Sequence, residues 1–209
     1  MDKPDTLRTF VGLDFPEAIN QQLFSIQQEL RAQRPDDVME YPPVESFHLT
    51  LFYLGGTPKA VYQEIENALM QVGEAFEPFS LTLEGLGVFS TKESFPLVFF
   101  VNVHDPTGQL QVLYAAVRDC VGRFGYTSDY PSYHPHVTLC KASPDTPPEM
   151  LEPFGALAQN FKVPSLGEIE IKEMTFYQSV PDREMAVYEP LKVIPLGKNK
   201  GEWLGDQGQ

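Results

Sequence analysis

The tetrapeptide His-apolar-Thr-Leu occurs twice in this chain, as His48-Leu49-Thr50-Leu51 and as His136-Val137-Thr138-Leu139. Only four histidines are present, and chance puts two of them in that context with a probability of roughly 10⁻⁴ or below. Each copy lies in an apolar run that reads as a short β-strand, Phe47 to Leu54 and His136 to Cys140. Residues i and i+2 of a strand share a face. His48 and Thr50 therefore stand side by side on one face, while Leu49 and Leu51 can fill a core from the other. His136 and Thr138 are set against Val137 and Leu139 in the same way. If the two strands face each other, two imidazoles and two hydroxyls converge on one cleft.

The sequence around the motifs repeats an order of elements. Leu7 to Phe15 reads as a strand ended by Pro16, and Ile19, Leu23, Ile26 and Leu30 give a helical stripe to about Arg34. Tyr41-Pro42-Pro43 is a stiff lead-in to the first motif strand, which Gly55-Gly56 is expected to end. A helix over Pro58 to Phe76 follows, then strands over Phe79 to Phe89 and Leu97 to Val103. Leu110, Leu113, Val117 and Val121 form the next helical stripe, and the Tyr- and Pro-containing loop 130–135 leads into the second motif. Pro148 to Phe161 reads as one helix, and Gly167 to Tyr177 and Ala186 to Val193 as two closing strands. This mixture predicts an α+β fold of two related lobes, each a sheet backed by helices. Residues 1–197 are read as one bilobal domain, and 198–209 as a flexible tail with Trp203 as its one anchor.

Composition sets the limits. Hydrophobic residues are 42% of the chain and aromatics 12%, enough to build a core. No apolar run approaches the ~18 residues of a membrane span, so no membrane role is expected. Met1 to Thr9 has no apolar signal-peptide centre, and Cys120 and Cys140 form no Cys-x-x-Cys pair. Both features point to a cytoplasmic protein with reduced thiols. The net charge is −14, from 15 basic and 29 acidic residues. A surface that acidic repels long duplex nucleic acid, but a small nucleotide or a single RNA end remains compatible with a locally neutral cleft.

A lone histidine on a strand face is more often a packing or surface residue than a catalyst. The duplication reverses those odds for His48 and His136, whereas His104 and His134 lack such a context and are left out of the site. Imidazole titrates near ~6.5, so one neutral ring can act as base while the other, protonated, acts as acid. The Thr50 and Thr138 hydroxyls can hydrogen-bond the non-bridging oxygens of a phosphate. No dense cluster of His, Asp and Glu with ligand spacing is visible, so neither a metal nor another cofactor is called for.

The chain resembles the 2H phosphoesterase superfamily, and within it the 2'-5' RNA ligase-like group, also described as RNA 2',3'-cyclic phosphodiesterases. The likeness rests on both motifs, Pro42-Pro43 with Glu45, Leu54-Gly55, Gly85 to Phe89, Pro135-His136 and the Tyr177 and Tyr188 segment, and spans roughly residues 7 to 197. It implies a bilobal fold with a central cleft and His48, Thr50, His136 and Thr138 as the catalytic set. It also implies a 2'-phosphate product and favours His136 as the base. The chain departs from the family where many members carry Arg directly after the first motif. Here that residue is Phe52, which strict alternation puts on the His48 face, as a base-stacking ring or as wall packing. Lys141 stands where an Arg often follows the second motif, a point charge in place of a planar fork. Tyr130 and Tyr133 are further stacking candidates, or simply loop packing.

These readings converge on a monomeric, metal-independent phosphodiesterase. Its expected reaction is hydrolysis of a 2',3'-cyclic phosphate on an RNA end or small nucleotide, with 2'-5' ligation as the reverse. A nucleotide-binding module with little turnover, and a hydrolase of cyclic oligonucleotide signals, are the alternatives.

Overall fold

The computed structural model describes residues 6–34, 38–92, 95–128, 132–143, 145–180 and 187–197. Tyr130, Trp203 and the tail 198–209 lie outside the described residues.

The strands are β1 (Thr6–Asp14), β2 (Met39–Glu40), β3 (His48–Pro58), β4 (Phe79–Ser90), β5 (Pro96–His104), β6 (His136–Ala142), β7 (Glu168–Ile171), β8 (Glu173–Val180) and β9 (Val187–Pro195). The helices are α1 (Glu17–Gln33), α2 (Tyr62–Glu74), α3 (Gln109–Gly122), α4 (Pro148–Leu151) and α5 (Phe154–Asn160). One sheet has the order β3-β1-β8-β9 and the other β2-β6-β5-β4-β7, and all the pairings within them are antiparallel. The first motif lies on the first sheet and the second motif on the other. The α+β architecture of two antiparallel sheets with helices is as predicted.

The lobes are not the two halves of the chain. The first sheet takes its strands from both ends, and the second is built from the middle. The helices cross over as well. α1 leaves β1 but packs on β6, and α3 leaves β5 but packs on β3 and α2. The apolar stripe of α1, Ile19, Leu23, Ile26 and Leu30, is buried as its spacing predicts. Because the helices straddle both sheets, Leu13, Leu49, Leu113, Val137 and Leu139 belong to one continuous core. Burying that core fixes the two motif strands relative to each other.

Several local readings are corrected. Gly55-Gly56 does not end the first motif strand, since β3 continues to Pro58, with Gly55 opposite Thr9 and Thr57 opposite Leu7. Gly55 has φ +76, and the ladder slips by one residue beside it, so the glycine serves a bulge inside the strand. The helix expected from Pro58 begins with a 3₁₀ turn over Lys59–Val61 and becomes α-helical at Tyr62. The helix expected over Pro148 to Phe161 is two short helices. Pro153, which lacks an N–H and clashes with the preceding turn, separates them. The run Gly167 to Tyr177 is also two strands. β7 joins β4 in one sheet and β8 joins β1 in the other, so the chain changes lobe at Lys172.

Candidate active site

The two motif strands share an irregularity that decides which side chains reach the cleft. In β3, Gly12 of β1 is opposite Thr50 and Val11 is opposite Phe52, so Leu51 is an extra, unpaired residue. In β6, Phe100 of β5 is opposite Thr138 and Phe99 is opposite Cys140, so Leu139 is the extra residue. A bulge of this kind inverts the alternation beyond it. Phe52 is consequently 3% exposed and part of the core, as is its counterpart Cys140. The placement of Phe52 on the His48 face, which strict alternation predicts, is thus overturned. The aromatic residue that does emerge on that face is Tyr53, opposite Phe10. On the second strand the same inversion brings Lys141 to the cleft.

Both bulges are supported by hydrogen bonds. Gln27 of α1 is 1% exposed, and its Nε2 donates to the Leu139 carbonyl (2.9 Å) and to the Pro42 carbonyl (2.8 Å). One buried amide thereby ties the second motif to the lead-in of the first. The Tyr133 hydroxyl donates to the Thr50 carbonyl (3.2 Å), while its ring stacks on Tyr114 at 4.0 Å. Burial pushes the Tyr133 phenol above its ordinary value, so it remains a donor. Tyr133 is therefore a structural tie behind the motif.

A cavity of about 170 Å³ lies between the strands, lined by Pro42, Ser46, His48, Thr50, His136, Thr138, Lys141 and Tyr188. Five of the six candidate side chains meet here; Phe52 does not. His48 Nδ1 is 2.8 Å from the Ser46 carbonyl, and His136 Nδ1 is 2.8 Å from the His134 carbonyl. A carbonyl only accepts, so Nδ1 carries the hydrogen in both rings. Each neutral imidazole then keeps its lone pair on Nε2. His48 Nε2 is 3.1 Å from Thr50 Oγ1. His134 supports the site through its backbone carbonyl, from the loop before the second motif.

Each imidazole is also held between aromatic rings. Phe10 lies 4.9 Å from His48, and Tyr188 meets that ring edge-on at 5.0 Å. Phe100 lies 5.1 Å from His136, and Phe89 meets it edge-on at 4.9 Å. Burial pushes both imidazoles below their ordinary value. For His48 the bond to Ser46 and the charge of Asp14 oppose that shift, while His136 adds to it. For His136 the bond to His134 opposes it and the His134 ring adds to it. Among the described residues, no group of three or more His, Cys, Asp or Glu is placed to hold a metal ion. None of their helices is long and apolar enough to cross a membrane.

Sequence reasoning missed Tyr188, Phe10, Phe89 and Phe100 as the rings around the imidazoles. Their place depends on cross-strand register, and the bulges leave no mark in composition or periodicity.

Comparison with known proteins shows the family and the fold. A family model described as the 2'-5' RNA ligase superfamily matches residues 15–178. A protein of Archaeoglobus fulgidus named RNA 2',3'-cyclic phosphodiesterase is 26% identical over 188 residues, covering 90% of this chain and 99% of its own. One of the same name from Thermotoga maritima is 30% identical over 164 residues, covering 75% and 85%. Among solved structures, a protein of Thermus thermophilus superposes with a TM-score of 0.73 at 21% identity, covering 92% of this chain and 100% of its own. LigT of E. coli, complexed with 3'-AMP, superposes with a TM-score of 0.68 at 24% identity, covering 91% and 98%. The chain belongs to the 2'-5' RNA ligase superfamily.

Proposed function

We propose that this protein is a metal-independent phosphodiesterase. It opens a 2',3'-cyclic phosphate, on an RNA end or a small nucleotide, to a 2'-phosphate. One observation carries the reading: two imidazoles share one cavity, each with Nδ1–H tied to a backbone carbonyl and Nε2 left for chemistry, and each beside a threonine of its own motif. The names of the Archaeoglobus and Thermotoga relatives support the substrate class.

In the reaction, one neutral Nε2 takes a proton from water as the oxygen attacks phosphorus. The bond from phosphorus to O3' breaks, and the other imidazolium gives its proton to O3'. Water is added across the ring, and the phosphate stays on O2'. The Thr50 and Thr138 hydroxyls and Lys141 hold the non-bridging oxygens, where negative charge grows in the transition state. Each acid or base supplies typically ~10²–10⁴-fold. The same ring opening with a 5'-hydroxyl in place of water makes a 2'-5' linkage, and O3' takes the proton in either case. Water at ~55 M favours hydrolysis, because joining two ends costs association entropy.

The alternative of a nucleotide-binding module with little turnover draws on an aromatic ring at Phe52 replacing a cation in the cleft. Two imidazoles and two threonines gathered in one cavity argue against it, because binding alone does not need both rings. The test is incubation of the full chain with 2',3'-cyclic nucleotides in EDTA, with the product resolved by phosphorus NMR. A 2'-phosphate is the expected product. No turnover, a 3'-phosphate, or activity that requires added metal would overturn the reading.

A further inference from the structure

We propose that Gln27 is a positioning residue for the reaction: from behind the cavity, its amide sets the two motif walls at the spacing that turnover requires. The proposal rests on the phosphodiesterase reading and adds the device that holds its two halves in register.

Gln27 lies on the buried face of α1, among Ile19, Leu23, Ile26 and Leu30. A polar group in such surroundings is unfavourable unless its hydrogen bonds are made. Here they are. Both bonds from Nε2, to the Leu139 and Pro42 carbonyls, are short, and Oε1 accepts from Gln28 Nε2 at 3.3 Å. The two carbonyls can only accept, so the nitrogen and not the oxygen of the amide must face them.

Each of these carbonyls is one that the sheets leave over. Leu139 is the residue that the ladder between β5 and β6 passes over. Pro42 lies where the chain crosses from β2 in the second sheet to β3 in the first. A single planar NH₂ group therefore joins a bulge in one wall to the crossing segment that begins the other.

The bonds continue to the reacting groups. The Ser46 N–H donates to the Pro43 carbonyl at 2.9 Å, and the Ser46 carbonyl accepts from His48 Nδ1–H. The segment that Gln27 holds at Pro42 is thus the shelf that orients His48. On the other side, Leu139 directly follows Thr138 and is two residues before Lys141, and both of those side chains line the cavity. Gln27 itself does not line it. A phosphate held between the walls depends on their separation, and a displacement of about 1 Å from a change outside the chemistry can cost ~10²-fold in rate.

A second buried hydrogen bond provides the control. Thr9 and Thr57 are both fully buried, and their hydroxyls meet at 2.7 Å. That bond joins β1 to β3 within one sheet, at the end of β3 away from His48. Its loss should weaken the fold without moving one wall against the other.

The test compares the wild type, Gln27→Met and Thr57→Val. Met keeps the length of the side chain and removes both donors. Two readings are taken: hydrolysis of a 2',3'-cyclic nucleotide in EDTA, and titration with inorganic phosphate followed by NMR at the Hε1–Cε1 signals of His48 and His136. Both variants should unfold at lower urea than the wild type. Gln27→Met should lower kcat about 10–100-fold. It should bind phosphate about tenfold more weakly, as one hydrogen bond to a charged group is lost. Thr57→Val should keep kcat and phosphate affinity within about twofold of the wild type. A folded Gln27→Met protein with wild-type kcat and phosphate affinity overturns the proposal. So does a Thr57→Val protein impaired as much as Gln27→Met, since loss of stability alone would then explain both. Should Gln27→Met fail to fold, Gln27→Asn decides by the same readings, because it keeps the donors one methylene too short to reach both carbonyls. The phosphate titration needs no turnover, so a wild type that binds phosphate but opens no cyclic nucleotide would sink the proposed activity and leave the positioning role measurable.

Discussion

Tyr53 and Lys141 occupy equivalent positions on the two motif strands, each turned outward from the core by a one-residue bulge at the leucine of its own motif. The motifs thus repeat beyond the four residues that are visibly alike. His48 matches His136, Thr50 matches Thr138, Phe52 matches Cys140 in the core, and Tyr53 matches Lys141 on the outward side.

That register separates Phe52 from its neighbour experimentally. Phe52→Ala should cost about 3–5 kcal/mol of stability, read by urea unfolding, because it empties a buried ring site. Tyr53→Ala should leave stability within about 0.5 kcal/mol. It should raise KM for a cyclic nucleotide about tenfold, through loss of base stacking. A stable Phe52→Ala protein with a raised KM would reverse the assignment.

Lys141 lines the cavity and is exposed, and the proposed mechanism has it hold the substrate phosphate as a point charge. Lys141→Gln should raise KM more than it lowers kcat. The dependence of kcat/KM on ionic strength should become shallower, because a screened charge pair has been removed. An unchanged salt dependence would take Lys141 out of the phosphate site.

The doubled motif makes the pairing of each imidazole with a hydroxyl legible in the sequence, because a strand's period of two places His beside Thr without further information. The helical stripes of α1 and α3 are equally plain. The bulges at Leu51 and Leu139 are not, since an extra residue in one strand is defined only against its partner. Strict alternation misplaces Phe52 for that reason and passes over Tyr53. The crossing of the chain between sheets at Lys172 is hidden in the same way, because β7 and β8 read as one run and part company only in their pairing. Asp14 reads as a strand-end acid until its register places it opposite His48.

Thr50 and Thr138 should matter less than the histidines. Replacing either with Ala is expected to lower kcat/KM about 10–100-fold, below the ~10²–10³ of a full oxyanion donor, since water can fill the space. Thr→Ser should restore most of the loss. In Thr50→Ala the partner of His48 Nε2 at 3.1 Å is also removed, so this variant should shift the pH profile, and Thr138→Ala should not. A Thr variant as inactive as a His variant would mean that a hydroxyl enters the chemistry.

The pH dependence has a definite sign. Burial lowers both imidazoles in the free protein, so both limbs of the kcat/KM bell should lie below the ordinary histidine value of ~6.5. A bound phosphate anion favours both imidazoliums and moves the limbs upward. The kcat bell should therefore sit at higher pH than the kcat/KM bell. Profiles displaced in the opposite order would contradict the burial argument.

The two-histidine mechanism is tested most directly by the hydrolysis rate of a 2',3'-cyclic nucleotide in EDTA, compared among the wild type, His48→Ala, His136→Ala and the double variant. Thermal melts should establish that all four are folded. The wild type should turn over, each single variant should lose at least ~10²-fold, and the double variant should be little worse than either, since the two rings act as one unit. Near wild-type turnover in both folded single variants would contradict the mechanism.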